Sequence, residues 1–188
     1  MIHATKSSML NLPNALAALR IIMTPLMFFF LVERDCELLS GIHESWLNYF
    51  AALIFLLASV TDFFDGYIAR KWDQKTTLGA ILDPLADKML TLAGFLGLML
   101  AGIASPWAIF LILSREFFIT GLRVVAVSEG LDISASFAGK VKTVVQMIAI
   151  GFLLMGWPFG TEILWLAVLL TLYSGAQYVY GYVKLSRD

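Results

Sequence analysis

Six apolar runs dominate the chain, at about 10–32, 47–69, 86–103, 106–127, 137–157 and 162–182. Each is close to the ~20 residues that a helix rising 1.5 Å per residue needs to cross a ~30 Å hydrocarbon core. In lipid the backbone N–H and C=O groups must be satisfied within the protein, so only helices and closed barrels span. The runs are continuous rather than alternating, which excludes a β-barrel. Of the 188 residues 60% are hydrophobic and 14% charged, against about 25% charged in a soluble domain. Disorder would require the opposite balance. The sequence therefore predicts an all-α fold, a polytopic membrane protein with six transmembrane helices in a single domain, 1–188. Arg20 within the first run marks it as a mature helix rather than a cleaved signal.

The breaks between the runs orient them. The first connection, ERDCELLSGIHES, is mostly acidic, and the 3–4 connection carries no charge. Arg70, Lys71 and Lys75 cluster at the 2–3 connection, Lys140 and Lys142 follow the 4–5 connection, and Lys6, Lys184 and Arg187 lie at the termini. The positive-inside rule then places both termini, and the 2–3 and 4–5 connections, in the cytoplasm. Trp46, Trp107, Trp157 and Trp165 fit an outer interfacial belt, and Trp72 an inner one. A net charge of −1 offers no electrostatic case for nucleic acid. A lone cysteine, Cys36, excludes an internal disulfide.

Polar groups that interrupt apolar helices carry the functional information, because each ionisable side chain costs about 2.5–3.5 kcal/mol at a helix centre. The stretch TDFFDGYIARKWDQKTTLGAILDPLADK (61–88) is the densest. On a helix turning 100° per residue, Asp62, Asp65, Gly66 and Ala69 fall within an arc of about 100°. Gly79, Asp83 and Asp87 fall within about 80° if that segment is helical. Two such faces opposed would gather four carboxylates, which repel unless a divalent cation joins them. Hard oxygen ligands favour Mg²⁺, Mn²⁺ or Ca²⁺. Gly66 and Gly79 would let a bulky ligand approach the backbone. Single residues also have ordinary structural readings. Asp83 before Pro84 fits a helix N-cap with Pro at N1, and Gly66 and Ala69 fit a helix crossing.

Asp62-x2-Asp65-Gly66-x2-Ala69-Arg70-x8-Gly79-x3-Asp83-x3-Asp87 resembles the signature of the CDP-alcohol phosphatidyltransferase family, with every fixed position present. NLPNALAALR (11–20) is similar to the family's N-terminal segment, with Ala17 where Thr is usual. SREFFITGLRVVA (114–126) and GKVKTVVQM (139–147) resemble the family's bacterial phosphatidylglycerophosphate synthase branch. The resemblance implies the CDP-alcohol phosphotransferase fold and a homodimer in the cell (inner) membrane, with the active site facing the cytoplasm. It implies CDP-diacylglycerol as donor, sn-glycerol 3-phosphate as acceptor and two divalent cations, Mg²⁺ or Mn²⁺. It further implies Asp62, Asp65 and Asp83 as metal ligands, with Asp87 as general base and a possible fourth ligand. Gly66, Ala69 and Gly79 would line the cytidine pocket, with Asp62 and Arg70 also on the donor.

The acceptor's phosphate calls for guanidinium or ammonium groups. Candidates are Arg115, Arg123, Lys140 and Lys142. Arg115 is deep in its span; its ordinary reading is an ion pair with a buried acid, and adjacent Glu116 is expected to point elsewhere. Lys140 and Lys142 are about 200° apart on a helix, so one is expected to face inward, with Lys140 favoured. Arg20 reads equally as a packing residue or a site contact. Two other functions fit part of the pattern. One is the same chemistry on another alcohol, such as serine, inositol phosphate or a phosphatidyl group. The other is a cation transporter, against which stands the lack of an inverted repeat.

Overall fold

The computed structural model describes residues 12–39, 41–71, 77–131 and 136–186, without the side chains of 12–13, 62–71, 77–78 and 80–81. It is helical throughout the described residues: α1 Leu12–Val32, α2 Glu44–Lys71, α3 Thr77–Leu100, α4 Pro106–Ser128, α5 Phe137–Met155 and α6 Gly160–Leu185. A short 3₁₀ turn, Glu37–Leu39, lies between α1 and α2. The chain forms two compact units, Met1–Gly97 and Leu98–Asp188.

In the first unit α1 packs on α2. The buried residues of α1 are Asn14, Ala17, Arg20, Thr24, Met27 and Leu31, spaced three or four apart and so forming one stripe. Leu19, Ile22 and Leu26 lie outside it, exposed. This arrangement is inverted relative to a helix in water, which hides its apolar face. With polar groups inward and leucines outward, the surrounding solvent is lipid. At the far end of the unit, a Cβ on Gly97 would lie 2.6 Å from Leu31 Cδ1. The glycine therefore sets how closely α3 approaches α1.

The second unit repeats the inversion. α5 and α4 both pack on α6. Gln146, Thr171 and Ser174 are buried, while Phe117, Phe118, Leu169 and Tyr180 are exposed. Local signals fix the ends. Pro106 opens α4, Ser136 Oγ accepts from Gly139 N at 3.1 Å to cap α5, and Gly156 closes α5 at φ 64°, a left-handed conformation suited to glycine.

Among the described residues, four helical segments are long and apolar enough to cross a membrane: Asn14–Val32, Glu44–Thr61, Phe137–Met155 and Gly160–Leu185. The helices outside that set, α3 and α4, hold Asp83, Asp87 and Lys88, and Arg115, Glu116 and Arg123. Each of these two helices carries three charged residues within one 18-residue stretch.

Helix α3 departs most from expectation. It begins at Thr77, well before the expected start near 86, so Asp83 is not an N-cap and Pro84 lies inside the helix. Proline there removes the bond to the carbonyl of Ala80. The flanking Leu, Ala and Ile residues favour helix on both sides, and α3 continues through the defect. The consequence is functional, because the helical spacing assumed for Gly79, Asp83 and Asp87 is realised.

Candidate active site

Helix α2 remains helical through Lys71, so its backbone carries Asp62, Asp65, Gly66, Ala69 and Arg70 in the register expected. Their side chains lie outside the described residues. On α3, Gly79 is buried, and Asp83 and Asp87 are partly exposed four residues apart, hence on one face. Asp83 Oδ1 is buried. Two carboxylates so placed supply hard oxygen donors suited to Mg²⁺ or Mn²⁺. Among the described residues no group of three or more His, Cys, Asp or Glu comes together, and the opposing pair expected, Asp62 and Asp65, has its side chains outside that set.

The described part of the site contains a residue that the motif does not include. Arg20, fully buried on α1, donates from Nη1 to Asp87 Oδ1 at 2.8 Å. Arg20, read from the sequence equally as a packing residue or a site contact, is both fully buried and paired with a motif aspartate. Thr24 Oγ1 donates to the Arg20 carbonyl at 2.8 Å, one residue before Pro25, which lies inside the continuous helix α1. Thr91 Oγ1 donates to the Asp87 carbonyl at 3.0 Å. Asp87 is thus held through its side chain and its backbone. A buried guanidinium beside a half-exposed carboxylate fixes the carboxylate's orientation. The sequence signal was available: an arginine in an apolar run needs an acidic partner.

A second polar cluster lies inside the second unit. Arg115 Nη2 donates to Ser174 Oγ at 2.9 Å, and Nη1 to Glu116 Oε1 at 3.2 Å. Lys142 Nζ pairs with the same Glu116 oxygen. Gln146 Nε2 donates to Thr171 Oγ1 at 2.8 Å, and Ser174 Oγ to the Thr171 carbonyl at 3.1 Å. Helices α4, α5 and α6 are laced together where lipid-facing helices would otherwise present only apolar side chains. Two expectations are corrected here. Glu116 does not point away from Arg115; the two side chains bend toward each other, and Lys142 reaches across from α5. Lys142, not Lys140, is the buried lysine, and Lys140 is exposed. Their opposite placement follows from the ~200° between them, and the acid on α4 decides which one turns inward.

Arg123 is exposed and sits over the Tyr178 ring, 5.6 Å from its centroid, a cation–π geometry. Arg115 lies in the wall of an open groove of about 470 Å³, otherwise lined by residues such as Leu111, Phe118, Leu172 and Val179. Its stem rests on Gly175, where a Cβ would stand 3.0 Å from Nε. That Nε is buried and has no hydrogen-bond partner among the described residues. Arg115 therefore keeps one donor in reserve.

Comparison with known proteins gives a consistent match. The family model for CDP-alcohol phosphatidyltransferase matches residues 10–173. The CDP-diacylglycerol–glycerol-3-phosphate 3-phosphatidyltransferase of Bacillus subtilis is 39% identical over 181 residues, covering 90% of this chain and 94% of the relative. The Rickettsia typhi protein of the same name is 37% identical over 179 residues, covering 90% and 96%. A probable phosphatidylglycerophosphate synthase of Mycobacterium tuberculosis is 36% identical over 181 residues, covering 94% and 83%.

Proposed function

The chain belongs to the CDP-alcohol phosphatidyltransferases, and we propose that it transfers the phosphatidyl group of CDP-diacylglycerol to sn-glycerol 3-phosphate, releasing CMP and phosphatidylglycerophosphate. Near-full-length identity with relatives named for that reaction carries the reading. Membership of a transferase family sets the cation transporter aside. We take α3 and α4 as the remaining two spans of a six-span protein. We place it as a homodimer in a bacterial inner membrane, with both termini and the active site toward the cytoplasm, where the basic connections belong.

The primary hydroxyl oxygen of the acceptor attacks the β-phosphorus of the donor. The bond from that phosphorus to the bridging oxygen breaks, and CMP leaves with the oxygen and its charge. The hydroxyl proton passes to Asp87. A base that must accept a proton has to be aimed at it; the contact with Arg20 supports that orientation. Asp62, Asp65 and Asp83, with Asp87 at the edge, would hold two divalent cations, Mg²⁺ or Mn²⁺. Bound there, such cations neutralise pyrophosphate charge and align the reacting groups. Gly66, Ala69 and Gly79 give the nucleotide close backbone approach, and Arg70 supplies a cation for the nucleotide or pyrophosphate.

The acceptor phosphate falls to Arg115, Arg123 and Lys142, with exposed Lys140 contributing charge at longer range. Burial of Arg115 and Lys142 supports a desolvated anion site, in which charge-assisted bonds are strongest. The test is CMP release by the purified protein with CDP-diacylglycerol, a divalent cation and a panel of acceptors. Turnover confined to glycerol 3-phosphate and dependent on the cation is expected. Equal use of serine or free glycerol would overturn the acceptor assignment.

A further inference from the structure

The proposed reaction leaves Glu116 without a role, yet this acid holds the centre of the α4–α5–α6 cluster. One carboxylate oxygen, Oε1, receives both Arg115 Nη1 and Lys142 Nζ. The Arg115 and Lys142 side chains are 11% and 9% exposed, so two largely desolvated cations converge on one carboxylate oxygen. A single oxygen bridging a guanidinium and an ammonium occupies the place that a phosphate oxygen takes in such a pair.

We propose that Glu116 is a specificity-determining residue: its carboxylate occupies the anion position between Arg115 and Lys142, and an acceptor binds there only if its own charge displaces it. This rests on the reading that these cations receive the acceptor's phosphate. A phosphate monoester, with about −1.5 to −2 charge, outcompetes a carboxylate of charge −1. A neutral alcohol has nothing to exchange. The cations hold their places during the exchange, because Arg115 stays anchored to Ser174 and against Gly175. Its Nε, buried without a hydrogen-bond partner among the described residues, supplies one more donor to an incoming oxygen. The acid thus weakens binding of every anion in order to reject weak ones, a use of repulsion for selectivity.

The test uses the full chain in detergent with CDP-diacylglycerol, following CMP release against glycerol 3-phosphate, with inorganic phosphate as competitor. In Glu116→Gln, acceptor KM and the phosphate inhibition constant should both fall about tenfold, the scale expected for removing a like charge near a bound anion. The donor KM should stay within about twofold, because the nucleotide is held elsewhere. Glu116→Asp, whose shorter side chain cannot serve both cations, should move both constants the same way by roughly threefold, and it decides the matter if the Gln protein does not fold. Constants that rise or do not move, in a protein whose wild type saturates with glycerol 3-phosphate, would overturn the role of Glu116 alone. A wild type that ignores inorganic phosphate and uses glycerol equally well would overturn the acceptor reading and this proposal with it.

Discussion

Arg20 Nη1 stands 2.8 Å from Asp87 Oδ1, with the arginine fully buried and the aspartate side chain 49% exposed. The pair joins the buried stripe of α1 to the carboxylate face of α3 and reaches the solvent-accessible side only through the acid. A wholly buried pair gains little over apolar packing, and removing one partner leaves a costly charge. Here the accessible partner is the one that the proposed chemistry needs.

Arg20→Ala should therefore lower turnover more than acceptor or donor affinity, with kcat falling about tenfold to a hundredfold, since one oriented, charge-assisted contact is worth about 1.5–3 kcal/mol. Arg20→Lys, which keeps the charge but not the planar fork, should recover part of that loss. Steady-state kinetics on both variants, alongside thermal unfolding in detergent, tests this. Unchanged kcat with a lowered Tm would reduce Arg20 to a packing residue.

Conversion of Asp62, Asp65 or Asp83 to Asn keeps size and removes a charged ligand. Each variant should lose activity by about 10²-fold or more, and the loss should deepen at limiting cation. Titrating Mg²⁺ and Mn²⁺ into each variant reads it. Near-normal turnover of Asp65→Asn at low cation would count against a two-cation centre.

The two lysines should now separate. Lys142→Ala should raise acceptor KM by roughly ten- to a hundredfold, whereas Lys140→Ala, at an exposed position, should change it by less than about threefold. Arg123→Ala should behave like Lys142→Ala. Initial rates over a range of glycerol 3-phosphate check the ranking, and a larger effect at Lys140 would reverse it.

Gly175→Ala places a methyl 3.0 Å from Arg115 Nε and 3.1 Å from Cγ, tighter than ordinary contact. The arginine stem must shift, so acceptor KM should rise severalfold while donor KM holds. Gly97→Ala meets Leu31 in the core at 2.6 Å and should instead cost stability, about 1–3 kcal/mol for an overpacked site, visible as a lower Tm with unchanged KM values. Identical profiles for the two variants would contradict this division.

Cys36 is partly exposed between α1 and α2. In the proposed orientation, with both termini inside, a membrane-impermeant thiol reagent should label it on intact cells. Labelling only after permeabilisation would invert the topology and turn the aspartates away from a cytoplasmic acceptor.

Helix content, membrane solvent and the spacing of Asp83 and Asp87 were legible in the linear sequence, because run length and a 3.6-residue period are local properties. Even α3, read too short, erred only where a proline pointed to a boundary that neighbouring Leu, Ala and Ile residues override. The partners of the charges were not legible in that way. That Arg20 meets Asp87, that Glu116 turns back to Arg115, and that Lys142 rather than Lys140 faces inward depend on which helix lies opposite. Long side chains on one helix can reach either way, and in a low-dielectric interior an ion takes the counter-charge that packing brings within reach. Sequence determined that buried charges must exist and must be matched; only the tertiary structure decided the matches, since Arg20 with Asp87 and Lys142 with Glu116 join different helices that periodicity cannot relate, and Glu116 turns to Arg115 where Lys142 reaches across from α5.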